Sequence, residues 1–539
     1  MPAEPVLPGL SDEAAGLPAM PGGSRIPPAP PGDHGEGMDR WAQGQHLRAS
    51  AKVDFFAPAA APHQGCGARA RVPVPAGEAL MEIPLAACLT PLSLPDAPAF
   101  VDEQQKLMLR LLHEVLVLGD RSRWKPYLDT LPREFPSTPL CFTEQELRLL
   151  RGTSVDALLG GGHIANPGDL QAILDWCATR PELFPPEAGL GLQELRWAAS
   201  VVASRAFDST QAGVVLAPFG DALNHSSTGP HTRMRDGGDV LVFTAEREVA
   251  PGEEVLNCYG EHGNVQWLLN GGFVEAENPF DELLVSRAEA VSAALTYLGD
   301  SCGPSAGDEE EPPDGEGEGG VEGRACARLA WLQQEAVAED GSFGLTMQDP
   351  LPDDLATLIL VLCMSAGEFC AYQQRPPERR LIDLAAEDGL GEPLLRDLYG
   401  ALLRLAELLE RRYGSTLEED AALLERLQEA LSEAGEAEGG AGARAEAAEP
   451  RPGKRRRAAE PVPAPGGAAA AAAATAALLG PGVRPENARN VLRLRVGQQQ
   501  ILRELRQRTE GCFAVDGEES TATGDEGQGS EEEEEEAGR

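Results

Sequence analysis

Between residues 204 and 274 four short pieces follow one another in a set order: S-R-A-F (204–207), D-A-L-N-H-S (221–226), P-G-E-E-V-L-N-C-Y-G (251–260) and G-G-F-V (271–274). No single helix or repeat can accommodate them. The apolar spacing over 192–207 predicts an amphipathic helix ending at Arg205. A short strand over 214–216 follows, then a polar turn at Asn224-His225 and strands over 240–244 and 255–258. Tyr259 comes directly after a strand and before a glycine, and a short helix is predicted over 264–270.

The residue types narrow the chemistry. No second Cys or His lies at metal-ligand spacing from His225. Ser204 and Ser226 lack the strand-turn-helix elbow of a serine hydrolase. No Gly-rich loop runs into Lys-Ser or Lys-Thr, so a phosphate cradle is absent. What remains is a tyrosine, an Asn-His turn, an acid (Asp221) and aromatic walls (Phe207, Phe273). Such a set suits a reaction that depends on positioning and electrostatics rather than on a strong nucleophile. Taken singly, Asn-His-Ser also reads as a capped turn, and a lone tyrosine as core packing.

The flanking chain reads as strand and turn over 53–84, with a glycine pair, Gly65 and Gly67, in H-Q-G-C-G-A-R-A, and the turn P-A-G-E at 75–78. The glycine pair permits a close backbone approach to a ligand, or simply a hairpin. Residues 101–210 are mainly helical, with Leu107, Leu111, Leu112 and Leu116 at helical spacing and W-K-P-Y-L-D-T-L-P (124–132) as a helix end. Leu355, Leu358, Ile359 and Leu362 make one later apolar face, and Leu394, Leu398, Leu402, Leu405 and Leu409 another. The last predicted helix runs over 487–508.

Length and charge set the outer limits. The 539 residues are 42% hydrophobic, enough for a globular core, and carry a net charge of −42. The acids collect at 308–318 and 531–536, in blocks expected to be solvated. Such a chain is not expected to bind nucleic acid by phosphate neutralisation. No apolar run approaches the ~20 residues of a membrane helix. The 10 Cys include no C-x-x-C pair, so neither a zinc cluster nor a disulfide framework is expected. A basic knot at 454–457 reads equally as a nuclear signal or a solvated linker.

In their order, these pieces resemble the SET-domain methyltransferases, in the branch typified by the Rubisco large-subunit lysine methyltransferase. The resemblance runs from about residue 53 to 508. G-C-G-A-R-A-R-V-P-V-P-A-G-E-A-L-M-E-I-P is similar to the family's first strands, W-K-P-Y-L-D-T-L-P to its helical insertion, and S-R-A-F, D-A-L-N-H-S, Y-G and G-F to its catalytic half. Y-G-S-T-L-E-E-D and N-A-R-N-V-L-R-L-R resemble its substrate-binding domain.

The resemblance implies an α+β fold: a SET-domain β-fold of small curved sheets with a pseudoknot and a helical insertion at about 95–200, then an all-α substrate-binding domain. The expected bounds are a disordered segment over 1–40, the SET domain over 41–285, the helical domain over 286–510 with disordered insertions at 303–323 and 435–482, and a disordered acidic tail over 511–539.

It implies S-adenosylmethionine as methyl donor, no metal, and a protein side chain, most often lysine, as acceptor. Gln64, Gly65, Cys66, Gly67, Arg205, Asn224, His225 and Tyr259 are carried over as donor-binding, and Tyr259 as catalytic. Ser204, Phe207, Ser209, Asp221 and Phe273 are carried over as substrate-contacting. A branch of the family methylates histidine, for which the apolar Phe207 is a poor wall; a non-catalytic binding module is the remaining alternative. Many relatives carry an aromatic where this chain has Gly271, so a more open lysine channel is expected. The negative charge favours encounter with basic protein tails. A monomer in the cytoplasm or nucleus is expected; the family's plastid members add the chloroplast, for which the N-terminus has no Arg-rich, acid-poor leader.

Overall fold

The structure is a computed structural model and describes residues 26–27, 35–58, 66–160, 167–301, 321–335, 341–384, 390–446 and 467–519. Gln64 and Gly65, most of the 303–323 insertion, most of the 1–40 segment and residues 520–539 of the tail lie outside the described residues. The chain divides into two units, Met1–Asp281 with Leu417–Val496, and Glu282–Thr416 with Gly497–Arg539.

The first unit is built on small sheets. Arg48–Ala49, Ala79–Pro84, Val240–Ala245, Thr232–Asp236, Leu256–Asn257 and Asn224–His225 form a six-stranded sheet in that order. In Val240–Ala245 every second residue (Leu241, Phe243, Ala245) is buried, the period of a strand with one face in a core. Two further antiparallel pairs join Val53–Pro58 to Cys66–Ala70 and Ala206–Ser209 to Gly213–Leu216. The helical insertion begins at Glu103–Leu112, where Asp102 and Gln105 form a reciprocal capping box. Leu107, Leu111 and Leu112 are fully buried on its inner face. Lys125–Thr130 and Leu192–Arg205 follow, the latter ending at the expected arginine.

The second unit is mainly helical. Glu392–Tyr413 buries all five of its predicted leucines and packs on Arg287–Ser301 and Asp353–Cys363. Buried Arg328 donates to the carbonyls of Val361, Leu362 and Met364, so a cation meets the negative end of Asp353–Cys363. This unit also holds an antiparallel pair, Glu282–Ser286 with Ser342–Thr346, which departs from an all-α expectation. Leu283, Val285, Phe343 and Leu345 alternate inward, and that burial favours strand over helix.

The expected helical domain over 286–510 is divided differently. Leu417–Val496 belongs to the first unit, and side chains from it explain why. Arg484 and Asn487 bond the carboxylate of Glu146, while Arg495 bonds Asp420 and the carbonyls of Leu149 and Arg151. Within 435–482 the structure has helix to Glu446 and again over Gly467–Leu479. The second is an alanine tract, the best helix former, and it packs along Leu417–Glu446. At the N-terminus helix begins at Gly35, with Met38 buried and Trp41 donating to the Arg123 carbonyl.

Candidate active site

Parallel pairing of Asn224–His225 with Leu256–Asn257 sets the site. It puts the Asn-His pair beside the strand that delivers Tyr259, 34 residues on from His225. The Tyr259 amide donates to His225 Nδ1 at 3.0 Å, and its hydroxyl donates to the Leu223 carbonyl at 2.5 Å. Both ends of the tyrosine are therefore held by the turn carrying the Asn-His pair. Burial pushes the Tyr259 phenol well above its ordinary pKa; Arg205 opposes this, and the Asp221 and Glu254 carboxylates add to it. Burial thus favours the neutral hydroxyl.

Gly67 closes one side. A Cβ there would lie 2.6 Å from Glu254 Oε1 and 2.8 Å from Asn224 Nδ2, so a larger residue would displace both side-chain ends. Asn224 Nδ2 donates to Glu254 Oε1 at 2.7 Å, which orients the amide and leaves its oxygen as an acceptor. Cys66 is exposed at the start of the same strand.

Behind the turn lies a charged cluster. Arg205 Nη1 donates to the Asp221 carbonyl at 2.9 Å and approaches its carboxylate at 3.3 Å. The fully buried Tyr127 donates to the same carboxylate at 3.0 Å. Burial raises the Asp221 pKa, with Arg205 and Tyr127 pulling it down, and burial together with Asp221 raises that of Tyr127.

An aromatic group forms the other wall. The His225 ring centroid lies 4.9 Å from Tyr259, 4.4 Å from Trp267 and 5.8 Å from Phe273, and Trp267 stacks on Phe273 at 5.7 Å and 13°. A Cβ on Gly271 would lie 2.5 Å from the Phe273 ring, so that ring occupies the space an aromatic at 271 would take. The expected opening at Gly271 is thus filled from within the chain. Gly272 has φ of +71°, and a Cβ there would meet the Ser137 carbonyl carbon at 2.8 Å. Gly272→Ala is expected to destabilise by more than the roughly 1–2 kcal/mol of a left-handed alanine, because rigid backbone opposes it; a urea midpoint within error of wild type would disprove this.

The structure gathers Gly67, Arg205, Asp221, Asn224, His225, Tyr259 and Phe273. Three other expected residues make local contacts. Ser204 bonds back to the Ser200 carbonyl within its helix, and Ser209 accepts from the Ala212 amide. Phe207 packs edge-on against Phe243. Tyr127, Ser227, Glu254, Trp267 and Glu275 were not singled out by the sequence. The tyrosine in W-K-P-Y-L-D and the acids in P-G-E-E and G-F-V-E are their only signals. Among the described residues no group of His, Cys, Asp and Glu could hold a metal, and no helix is long and apolar enough to cross a membrane.

A family model described as SET domain matches residues 65–260, and one described as Rubisco LSMT substrate-binding matches residues 324–502. The N-lysine methyltransferase SETD6 of Mus musculus is 28% identical over 423 residues, 73% of this chain and 84% of that protein. The actin-histidine N-methyltransferase of Drosophila melanogaster is 26% identical over 255 residues, 42% of this chain and 47% of its own. Among solved structures, Rubisco LSMT bound to AdoMet has a TM-score of 0.57 at 14% identity, covering 90% of this chain and 94% of its own. At that identity the likeness is one of fold.

Proposed function

Since the chain belongs to the SET-domain methyltransferases that carry a Rubisco LSMT substrate-binding domain, we propose that it methylates a lysine side chain of a protein, with S-adenosylmethionine as donor. The observation that carries this reading is the meeting of Gly67, Asn224 and His225 with a Tyr259 anchored at both ends. The residues fit the donor's chemistry. Arg205 bonds Asp221 through Nη1, which leaves Nε and Nη2 for the donor's carboxylate. The Asn224 amide oxygen suits its ammonium, and Gly67 admits it to the backbone. Gln64, Gly65 and Cys66 belong to the same expected turn.

The donor supplies a methyl group on a sulfonium, whose S–C bond breaks as the lysine lone pair forms the N–C bond. Everything else falls to the chain. Lysine has a pKa of about 10.4 in water and must shed a proton first. A desolvated site lined by His225, Tyr259, Trp267 and Phe273 favours the neutral amine. Tyr259 aligns that amine as a neutral dipole, and alignment can remove roughly 7–11 kcal/mol of barrier.

Labelled donor, incubated with the protein and a cell extract, tests this reading. Tyr259→Phe is expected to slow labelling about 100-fold while donor binding persists. Asn224→Ala is expected to weaken donor binding about tenfold, read by titration calorimetry. An absence of donor heat, together with labelling indifferent to Tyr259, would refute the reading. Mass spectrometry of the labelled band decides lysine against histidine.

A further inference from the structure

His225 Nδ1 accepts the Tyr259 amide, so the ring's proton sits on Nε2. Nε2 lies 2.9 Å from Ser227 Oγ and 3.4 Å from Glu275 Oε2. The Ser227 hydroxyl donates to Glu275 Oε2, and the Ser227 amide donates to Oε1 at 3.0 Å. The four groups form one directed chain: Tyr259 amide to imidazole, imidazole to hydroxyl, hydroxyl to carboxylate. The His225 side chain is 1% exposed, so water does not substitute for a lost partner.

Glu275 is itself fixed from behind. Its amide donates to Asn264 Oδ1 at 2.9 Å, and Asn264 Nδ2 donates to its carbonyl at 3.1 Å and to Asp281 at 2.8 Å. Burial by itself would raise the Glu275 pKa, but the bonds from His225 and Ser227 together hold it below its ordinary value, which keeps the carboxylate charged.

We propose that Glu275, acting through Ser227 and His225, is a positioning residue that sets the backbone of Tyr259 for methyl transfer. The inference rests on the proposed reaction but predicts a physical coupling that exists without it. Members of one hydrogen-bonded network are non-additive. Ser227→Ala and Glu275→Ala are each expected to lower kcat about tenfold, and the double variant no further. Donor affinity should stay within about twofold. Glu275→Gln, which can still accept from Ser227, should retain more activity than Glu275→Ala. Hydrogen exchange, followed by mass spectrometry, should show faster exchange at the Tyr259 amide in both alanine variants, with residues 240–245 unchanged. Multiplying losses in the double variant, an unchanged kcat, or unchanged exchange at Tyr259 would each overturn the proposal. If wild type transfers no methyl group, the exchange result still decides the coupling, and only the reaction reading fails.

Discussion

Glu146→Ala is expected to destabilise the first unit by about 3–5 kcal/mol, the cost of stripping one partner from a buried ion pair. Glu146 is fully buried. Its carboxylate accepts from Arg484 Nε and backbone amide at 2.8 Å each, from Asn487 at 2.9 Å and from the Thr143 amide at 2.8 Å. It thus completes the capping box of Glu144–Leu149 and pins a segment 338 residues away. Burial alone would raise its pKa, but the bonds from Arg484 and Thr143 together lower it. A depressed folded pKa contributes stability above the unfolded value of about 4.3, and loses it as pH falls through the folded value. The wild type should therefore lose more stability below about pH 4 than Glu146→Gln does. Urea melts at pH 7 and below pH 4 measure both effects. Parallel pH dependences for the two proteins would refute the assignment.

Arg205→Met is expected to cost a similar ~3–5 kcal/mol, since it leaves the Asp221 carboxylate buried with only Tyr127 beside it. Asp221 already has a raised pKa from burial, and loss of the cation raises it further. A raised folded pKa stabilises below the unfolded value of about 3.9 and loses that contribution as pH rises. The variant should therefore be penalised more at pH 7 than at pH 5. Asp221→Asn in the same chain removes the charge, keeps an acceptor for Tyr127, and should restore most of the stability. Donor binding should not return, because the lost guanidinium is the proposed partner of the donor's carboxylate. Calorimetry and urea melts on both variants separate the roles; a double variant that regains donor affinity would show that Arg205 serves the fold alone.

Much of this protein was legible before its structure. Helix faces such as Leu394 to Leu409 and the helix end at Arg205 depend on spacing within a few residues, which sequence encodes directly. The family resemblance named Asn224, His225, Tyr259 and Phe273 together, and the His225 ring does lie against Tyr259 and Phe273. What lay beyond reach was every partner chosen by chain crossing. Tyr127 reaches Asp221 across 94 residues and Glu275 reaches Ser227 across 48, and neither pair has a local signature. Gly271 looked like an opening until Phe273 was seen to fill it. Residues 417–496 followed the helical pattern of their neighbours, yet Glu146 and the carbonyls of Leu149 and Arg151 tie them to the first unit. Periodicity reports which face a residue shows; only the folded chain decides which distant group meets it there, because a buried polar atom takes whichever partner the strand pairing delivers.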